Sequence, residues 1–416
     1  MSTTLKIDNA TLAGRDGYWS IAMEAGGIID VARHLETTAQ GTIDAEGRLV
    51  IPGLVDGHLH LDKALLFAQH PAQTGTFQEA LQETGSLKRR FTIDDIQSRA
   101  RQILENEIAF GTTLMRSHVE VDLMLKLTAM EALLPLKQDY AWGLTLQLAV
   151  FAQEGITNQP GTTALLRRAM AMGGDVIGSA PYVDPNPSDN IQIIFDLAEE
   201  FDCDVDFHLD FLDDDAPLLL PIVVEETVKR GWQGRVCLGH MTKLAGLTPQ
   251  TLKETAAMVS NAGISVLALP ATDLYMMARK DTHNVRRGVA PIHQLMDHGV
   301  ITGIATNNVQ NLFTPFGDGD VLKICTLLAQ TLQLGTVKSH IQCLAMATTQ
   351  AAQAIGVTNY GIAPGNAADL VIVDATSASE AIGTAPVGRT TIKHGKIVST
   401  TQMQRTFLSP EVSIKG

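Results

Sequence analysis

Eight short apolar runs recur along the middle of the chain, at residues 54–62, 112–121, 144–153, 176–184, 204–210, 235–241, 264–271 and 300–308. Each is nearly continuous rather than alternating, as expected of parallel strands buried on both faces. Between the runs the apolar positions take helical spacing. Leu125, Leu127, Met130 and Leu133 mark one face, Ile194, Leu197 and Ala198 a second, and Leu252, Ala256 and Val259 a third. Strand and helix alternating eight times predicts a parallel sheet closed into a (β/α)8 TIM-type barrel, an α/β fold, over residues 54–359.

The flanks are patterned differently. Residues 1–53 read as short strands and turns, among them Leu5-Lys-Ile-Asp8, Tyr18-Trp-Ser-Ile-Ala-Met23, Gly27-Ile-Ile-Asp-Val-Ala32 and Gly47-Arg-Leu-Val-Ile51. Residues 360–416 resume that style with Ala368-Asp-Leu-Val-Ile-Val-Asp374 and the run 389–398. Neither flank is large enough for a comfortable core of its own. The two are expected to pair into one small β-domain beside the barrel.

Composition narrows the function. The formal net charge of −14 argues against nucleic acid or an anionic membrane as partner, because both reward basic patches. No segment reaches the roughly 18 uninterrupted apolar residues of a membrane span. Cys203, Cys237, Cys325 and Cys343 are widely spaced and never form Cys-x-x-Cys, which reads as buried free thiols in a reducing cytoplasm. A homo-oligomer is left open. Phosphate loops, dinucleotide fingerprints and nucleophile elbows are absent.

The chemistry lies in Leu54-Val-Asp-Gly-His-Leu-His-Leu-Asp62. Residues two apart on a strand share a side, so His58 and His60 aim into one space, half of a divalent-metal site. Single histidines also end the second, fifth and sixth runs: His118, His208 and His240. Function in such barrels sits at the C-terminal strand ends. His58, His60 and His208 are therefore assigned as metal ligands, and His240 as a ligand or its neighbour. His118 either lines the pocket or donates to a carboxylate such as Glu120. At the end of the eighth run, where such a site wants a carboxylate, the chain has Asn307.

The order Pro-Gly-x-Val-Asp-x-His-x-His, single histidines on strands five and six, and a polar turn after strand eight resembles the amidohydrolase superfamily. Arg116-Ser-His-Val-Glu-Val121, Val150-Phe-Ala-Gln-Glu-Gly155 and Arg286-Arg-Gly288 resemble its cytosine deaminase branch. Lys63 and Thr314-Pro-Phe-Gly-Asp-Gly-Asp320 also resemble N-isopropylammelide hydrolase. The likeness covers essentially the whole chain. It implies a hydrolase that uses a metal-activated water to displace an amine from a small nitrogen heterocycle, such as a pyrimidine, triazine or cyclic ureide. It also implies one divalent ion, zinc in the first place, with iron or manganese as alternatives. Strand four carries no bridging lysine, in keeping with one metal. Gln153 and Asn308 match positions that face substrate in relatives.

Two positions depart from the family. Asn307 replaces a metal-binding aspartate that takes the water's proton; an amide can ligate weakly but is no base near pH 7. Phe211 stands where cytosine deaminases carry a proton-shuttling glutamate, and so faces substrate as an aromatic. Proton handling then falls to His240, Asp210 or Lys63. Asp210 is placed on the strand face of His208 by the two-residue rule, ahead of the acidic run Asp213–Asp215. These departures keep two alternatives in view: altered chemistry, such as opening a cyclic amide or displacing another leaving group, and a catalytically silent ligand-binding barrel.

Overall fold

The computed structural model describes residues 3–211 and 214–408. The eight apolar runs form eight strands: β1 (Leu54–Leu59), β2 (Thr112–Glu120), β3 (Thr145–Ala152), β4 (Val176–Ser179), β5 (Asp204–Leu209), β6 (Val236–His240), β7 (Ile264–Ala268) and β8 (Thr302–Ile304). They pair parallel, in chain order. Asn307 brings the two ends of the sheet together. Its N–H donates to the His58 carbonyl at 2.8 Å, and its own carbonyl accepts from His60 N–H at 3.0 Å. The result is a nearly closed (β/α)8 barrel. Strands β1, β2, β4, β6, β7 and β8 are buried at every residue, which is why their sequences are apolar throughout rather than alternating.

The helices are punctuated by their sequences. Helix Ile93–Phe110 starts at Thr92, whose hydroxyl accepts from Asp95 N–H, and carries Asp94 and Asp95 in its first turn. Such a cap is worth about 1 kcal/mol, and the acids suit the positive end of the helix. It buries Ile96, Ala100, Ile103 and Leu104 on one stripe and ends at Gly111, at φ +100°. A Cβ there would sit 2.8 Å from Val371, so glycine is required both by conformation and by close approach of the second sheet.

That second sheet draws on both ends of the chain. Strands Thr3–Leu12, Arg15–Glu24, Gly27–Ala32 and Leu49–Pro52 are joined by Leu370–Val373, Arg389–Lys393 and Lys396–Thr401. The junction is Leu49–Pro52, antiparallel to Leu370–Val373. A further strand, Ala39–Asp44, pairs parallel with Thr3–Leu12 and carries too little apolar pattern to be read from sequence. The run 389–398 is a hairpin rather than one strand, turning at His394 and Gly395, both with positive φ. The sheet is tied to the barrel by a buried ion pair and a buried hydrogen bond. Arg389 holds both oxygens of Asp320 at 2.7 and 2.8 Å, and Lys393 pairs with Asp369 at 2.6 Å while donating to the Thr113 carbonyl. Among the described residues no helix is long and apolar enough to cross a membrane. All four cysteines are buried and free.

Candidate metal centre and pocket

The histidines of β1 and β5 converge. His58 Nε2 lies 3.0 Å from His208 Nε2, and His60 Nε2 lies 3.1 Å from the same atom. A ring nitrogen of His240 falls in the same group, within 4.8 Å of those of His58 and His208. All four side chains are buried. Gly239 makes room for this: a Cβ there would come within 2.8 Å of the His58 ring.

Burial holds His58, His60 and His208 well below the ordinary imidazole pKa, helped by neighbouring charges and imidazoles. They are therefore neutral at pH 7, each with a lone pair. Three Nε2 atoms meeting at such spacing cannot all be satisfied by one another, whatever the tautomers. A cation at their centre satisfies all three. Two nitrogens each about 2.1 Å from a tetrahedral zinc stand about 3.4 Å apart, so the three nitrogens lie a few tenths of an ångström closer than such an ion would hold them, near enough for it to bind with a small opening of the site. Asn307 lies beside them at φ +63°, a conformation that Asn tolerates well. Its Oδ1 is buried without a partner among the described residues.

Beneath His58 lies a second buried layer. The His118 ring lies tilted by 33° against that of His58, centroids 3.8 Å apart, and its Nε2 is 3.2 Å from Asp206 Oδ1, outside hydrogen-bond geometry. Asp206 is fixed by Arg116 at 2.8 Å. The carboxylate beside His118 is thus Asp206 rather than the expected Glu120, with no hydrogen bond between the two. His118 is also fully buried and absent from the pocket wall, because its position on β2 turns it into the barrel interior.

His240 is held by a residue that sequence reading passed over. Its Nδ1 is 2.7 Å from Oδ1 of Asp273, in helix Pro270–Met276 directly after β7. The other Asp273 oxygen accepts from Leu269 N–H. Burial raises the Asp273 pKa, and His240 opposes that rise. The acid in Pro270-Ala-Thr-Asp273, at a strand end, was the available signal.

Lys63 is buried at the pocket edge and bonds Glu120 at 3.0 Å. The other Glu120 oxygen takes Lys88, which also reaches Asp122 and Glu154. Burial pushes Glu120 up, but the two ammonium groups outweigh it and hold its pKa down at about 2. Asp62 accepts from Glu120 N–H rather than meeting a histidine or Lys63.

Asp210 requires correction. β5 ends at Leu209, and Asp210 takes φ +48°, so the two-residue rule stops one residue short of it. Its carboxylate accepts the N–H groups of Leu219 and Leu220 at the start of helix Leu220–Arg230 and does not line the pocket. Asp213 lies outside the described residues. The basic loop after β7 is also engaged elsewhere, with Arg286 on Asp281 and Arg279 on the Tyr275 carbonyl.

The cavity facing the histidines is small, about 20 Å³. His60, His208, His240, Lys63, Gln153, Phe211, Asn307 and Asn308 all line it, so the fold gathers these expected residues into one place. Gln153 hydrogen-bonds Tyr182, whose hydroxyl pKa burial raises. Asn308 is used internally, donating to Thr272 and accepting from Asn311. Phe77, Tyr182, Thr272 and Phe313 also line the pocket and carried no sequence signal of their own.

N-isopropylammelide isopropyl amidohydrolase of Pseudomonas sp. (strain ADP) is 27% identical over 405 residues, covering 95% of this chain and 96% of that one. Pterin deaminase of Rhizobium rhizogenes is 26% identical, covering 85% and 82%. Among solved structures, 5-methylcytosine deaminase from Klebsiella pneumoniae, liganded with 5-fluorocytosine, superposes with a TM-score of 0.90 at 29% identity, covering 97% and 99%. The sequence profile of the amidohydrolase family matches residues 41–86 and 109–399. With that match spanning most of its length, the chain belongs to the amidohydrolase family and is an enzyme of its hydrolase and deaminase type.

Proposed function

We propose that this enzyme hydrolyses a C–N bond to an exocyclic amine on a small nitrogen heterocycle, with one divalent metal ion held by His58, His60 and His208. The observation that carries this reading is the meeting of three neutral imidazole Nε2 atoms at 3.0 and 3.1 Å beside a small pocket. When bound, such an ion supplies a nucleophilic water at neutral pH by lowering its pKa toward about 7. Zinc suits an imidazole donor set, and iron and manganese are alternatives.

The chain's own residues supply the rest. His240, with Nδ1 engaged by Asp273, offers Nε2 to accept the water's proton and return it to the departing amine. This assigns His240 the work of the family's aspartate, with Asn307 Oδ1 as a weak neutral ligand. Lys63 offers an ammonium to a ring oxygen or nitrogen, positioned by its ion pair with Glu120. Gln153 offers amide donors and an acceptor to an amide-like ring edge. In the balanced step the ring carbon gains the water oxygen, its C–N bond breaks, and the amine leaves with the proton.

Asn307 and Phe211 favour a second reading within the same site: displacement of a leaving group other than ammonia. The buried free thiols support residence in a reducing compartment. The test is turnover by metal-loaded protein of N-isopropylammelide, cytosine, pterin and hydantoin, followed by amine release and ring absorbance. Amine release from one member is expected. Absence of any turnover from protein with its full metal complement contradicts the proposal and favours a silent barrel.

A further inference from the structure

The irregular segment after β3 carries Gln153 to the pocket, and side chains rather than a strand or helix hold its course. Asp184 Oδ2 accepts from Ile156 N–H at 2.6 Å and from Thr157 N–H at 2.9 Å, and Asp184 Oδ1 accepts from the Thr157 hydroxyl. The same carboxylate accepts from Asn186 N–H at 3.1 Å and from Asn190 Nδ2 at 3.0 Å. Asn190, in helix Pro187–Phe201, accepts in turn from the Ser179 hydroxyl at 2.5 Å, at the end of β4. A chain of bonds through buried Ser179, Asn190 and Asp184 thus joins the end of β4 to the segment after β3.

Asp184 also stands two residues from Tyr182, in the turn Pro181–Val183. Tyr182 bonds the Gln153 side chain, and both line the pocket. One carboxylate therefore fixes the backbone on either side of that bond, while itself lying outside the pocket wall. Burial pushes the Asp184 carboxyl up, but the bonds from Asn190, Thr157 and Ile156 outweigh it and hold it below the ordinary carboxylate range. Hydrogen bonds to an ionised acceptor are about twice as strong as neutral ones, which suits a clamp. A second tie, from Lys88 to Glu154 at 2.6 Å, holds the start of the segment. Without the Asp184 bonds the segment would shift rather than detach.

We infer that Asp184 is a positioning residue for substrate recognition, acting through Gln153 and Tyr182 to set where the Gln153 amide meets the ring. This rests on the hydrolase reading above, in which Gln153 faces the ring edge, and adds a residue that never touches substrate. Small displacements matter at such a contact: a misplacement of about 1 Å can cost about 10²-fold. Asp184→Asn keeps the size of the side chain but turns an NH2 toward groups that are themselves donors, so one side of the clamp opens.

The test uses metal-loaded Asp184→Asn, Gln153→Ala and the double variant, with whichever of N-isopropylammelide, cytosine, pterin and hydantoin the parent turns over. Asp184→Asn should lower kcat/KM at least about fivefold, carried by KM with kcat within about threefold, as loss of a ground-state hydrogen bond does. Introduced into Gln153→Ala, it should change kcat/KM less than about twofold, because residues that act as one unit are not additive. The same loss in both backgrounds marks a purely structural role and overturns the proposal, as does a smaller loss or one carried by kcat. If Asp184→Asn does not fold, Thr157→Val removes one donor to the carboxylate in its place. It should then cost about threefold in the parent and nothing in Gln153→Ala, and any other pattern overturns the proposal. If the parent turns over no member, the hydrolase reading fails by itself, and the same comparison is made on calorimetric dissociation constants. Binding weakened about fivefold by Asp184→Asn only when Gln153 is present supports the positioning role; any other result, no binding included, overturns it.

Discussion

Asp273 grips His240 through Nδ1 at 2.7 Å, leaving Nε2 as the remaining ring nitrogen of a side chain that lines the pocket. The hydrogen bond fixes the tautomer and supports a positive imidazole when a proton arrives. Asp273→Asn keeps the shape but can present the wrong partner to Nδ1. A fall in kcat of about 10²–10⁴ is expected, the range for losing a general acid–base. Bound metal measured on the same sample should be unchanged. A variant within threefold of the parent contradicts the role.

Asn307 invites the reverse change. Asp tolerates positive φ much as Asn does, so Asn307→Asp should fold. It places a negative charge beside a site for a cation. At an effective dielectric of 20, two charges 4 Å apart attract by about 4 kcal/mol, so tenfold slower metal loss to a chelator is a conservative expectation. Equal or faster loss means that the Asn307 side chain does not face the ion.

Lys63→Met tests the pocket ammonium. Glu120 keeps Lys88 as its partner in this variant, so the buried carboxylate is not abandoned. A loss of about 10²-fold in kcat/KM is expected, in line with a charged hydrogen bond worth about 1.5–3 kcal/mol. Metal content and circular dichroism should match the parent. Unchanged kcat/KM would make Lys63 a structural ion-pair partner.

A different pair of acids governs stability. Asp56 and Glu107 are both buried, and Asp56 accepts from the Thr306 N–H at 3.1 Å and from its hydroxyl. Burial raises Asp56 to about 6, against the Thr306 bonds, and raises Glu107 well above its ordinary value, assisted by the Asp56 charge. A folded-state pKa above the unfolded one gives stability at low pH that is lost as pH rises through the folded value. Glutamine cannot lose that proton. The melting temperature of Glu107→Gln relative to the parent should therefore rise between pH 5 and pH 9, by at least about 2 °C. A difference that is flat or falls with pH contradicts a raised Glu107 pKa.

Much of this was legible in the chain because parallel strands buried on both faces write continuous apolar runs. All eight barrel strands lie inside those runs, and the end-to-end sheet follows from two flanks too small to fold alone. The gathering of His58, His60, His208 and His240 was legible for the same reason, since strand ends share one rim. Legibility stopped where strands stop. Asp210 sits one residue past β5 at positive φ, and its carboxylate turns to a helix N-terminus. Asp273, Phe77 and Phe313 come from connecting segments, whose course is set by tertiary packing rather than by any local period. The Lys88 network joins residues from separate elements, so no spacing along the chain announces it.

Elemental analysis of the purified protein shows whether the three imidazoles hold one ion. About one equivalent of a divalent transition metal per chain is expected in the parent, and less than about one tenth in His60→Ala and His208→Ala, because each variant removes one of only three nitrogen ligands. Metal content unchanged in both variants contradicts the account.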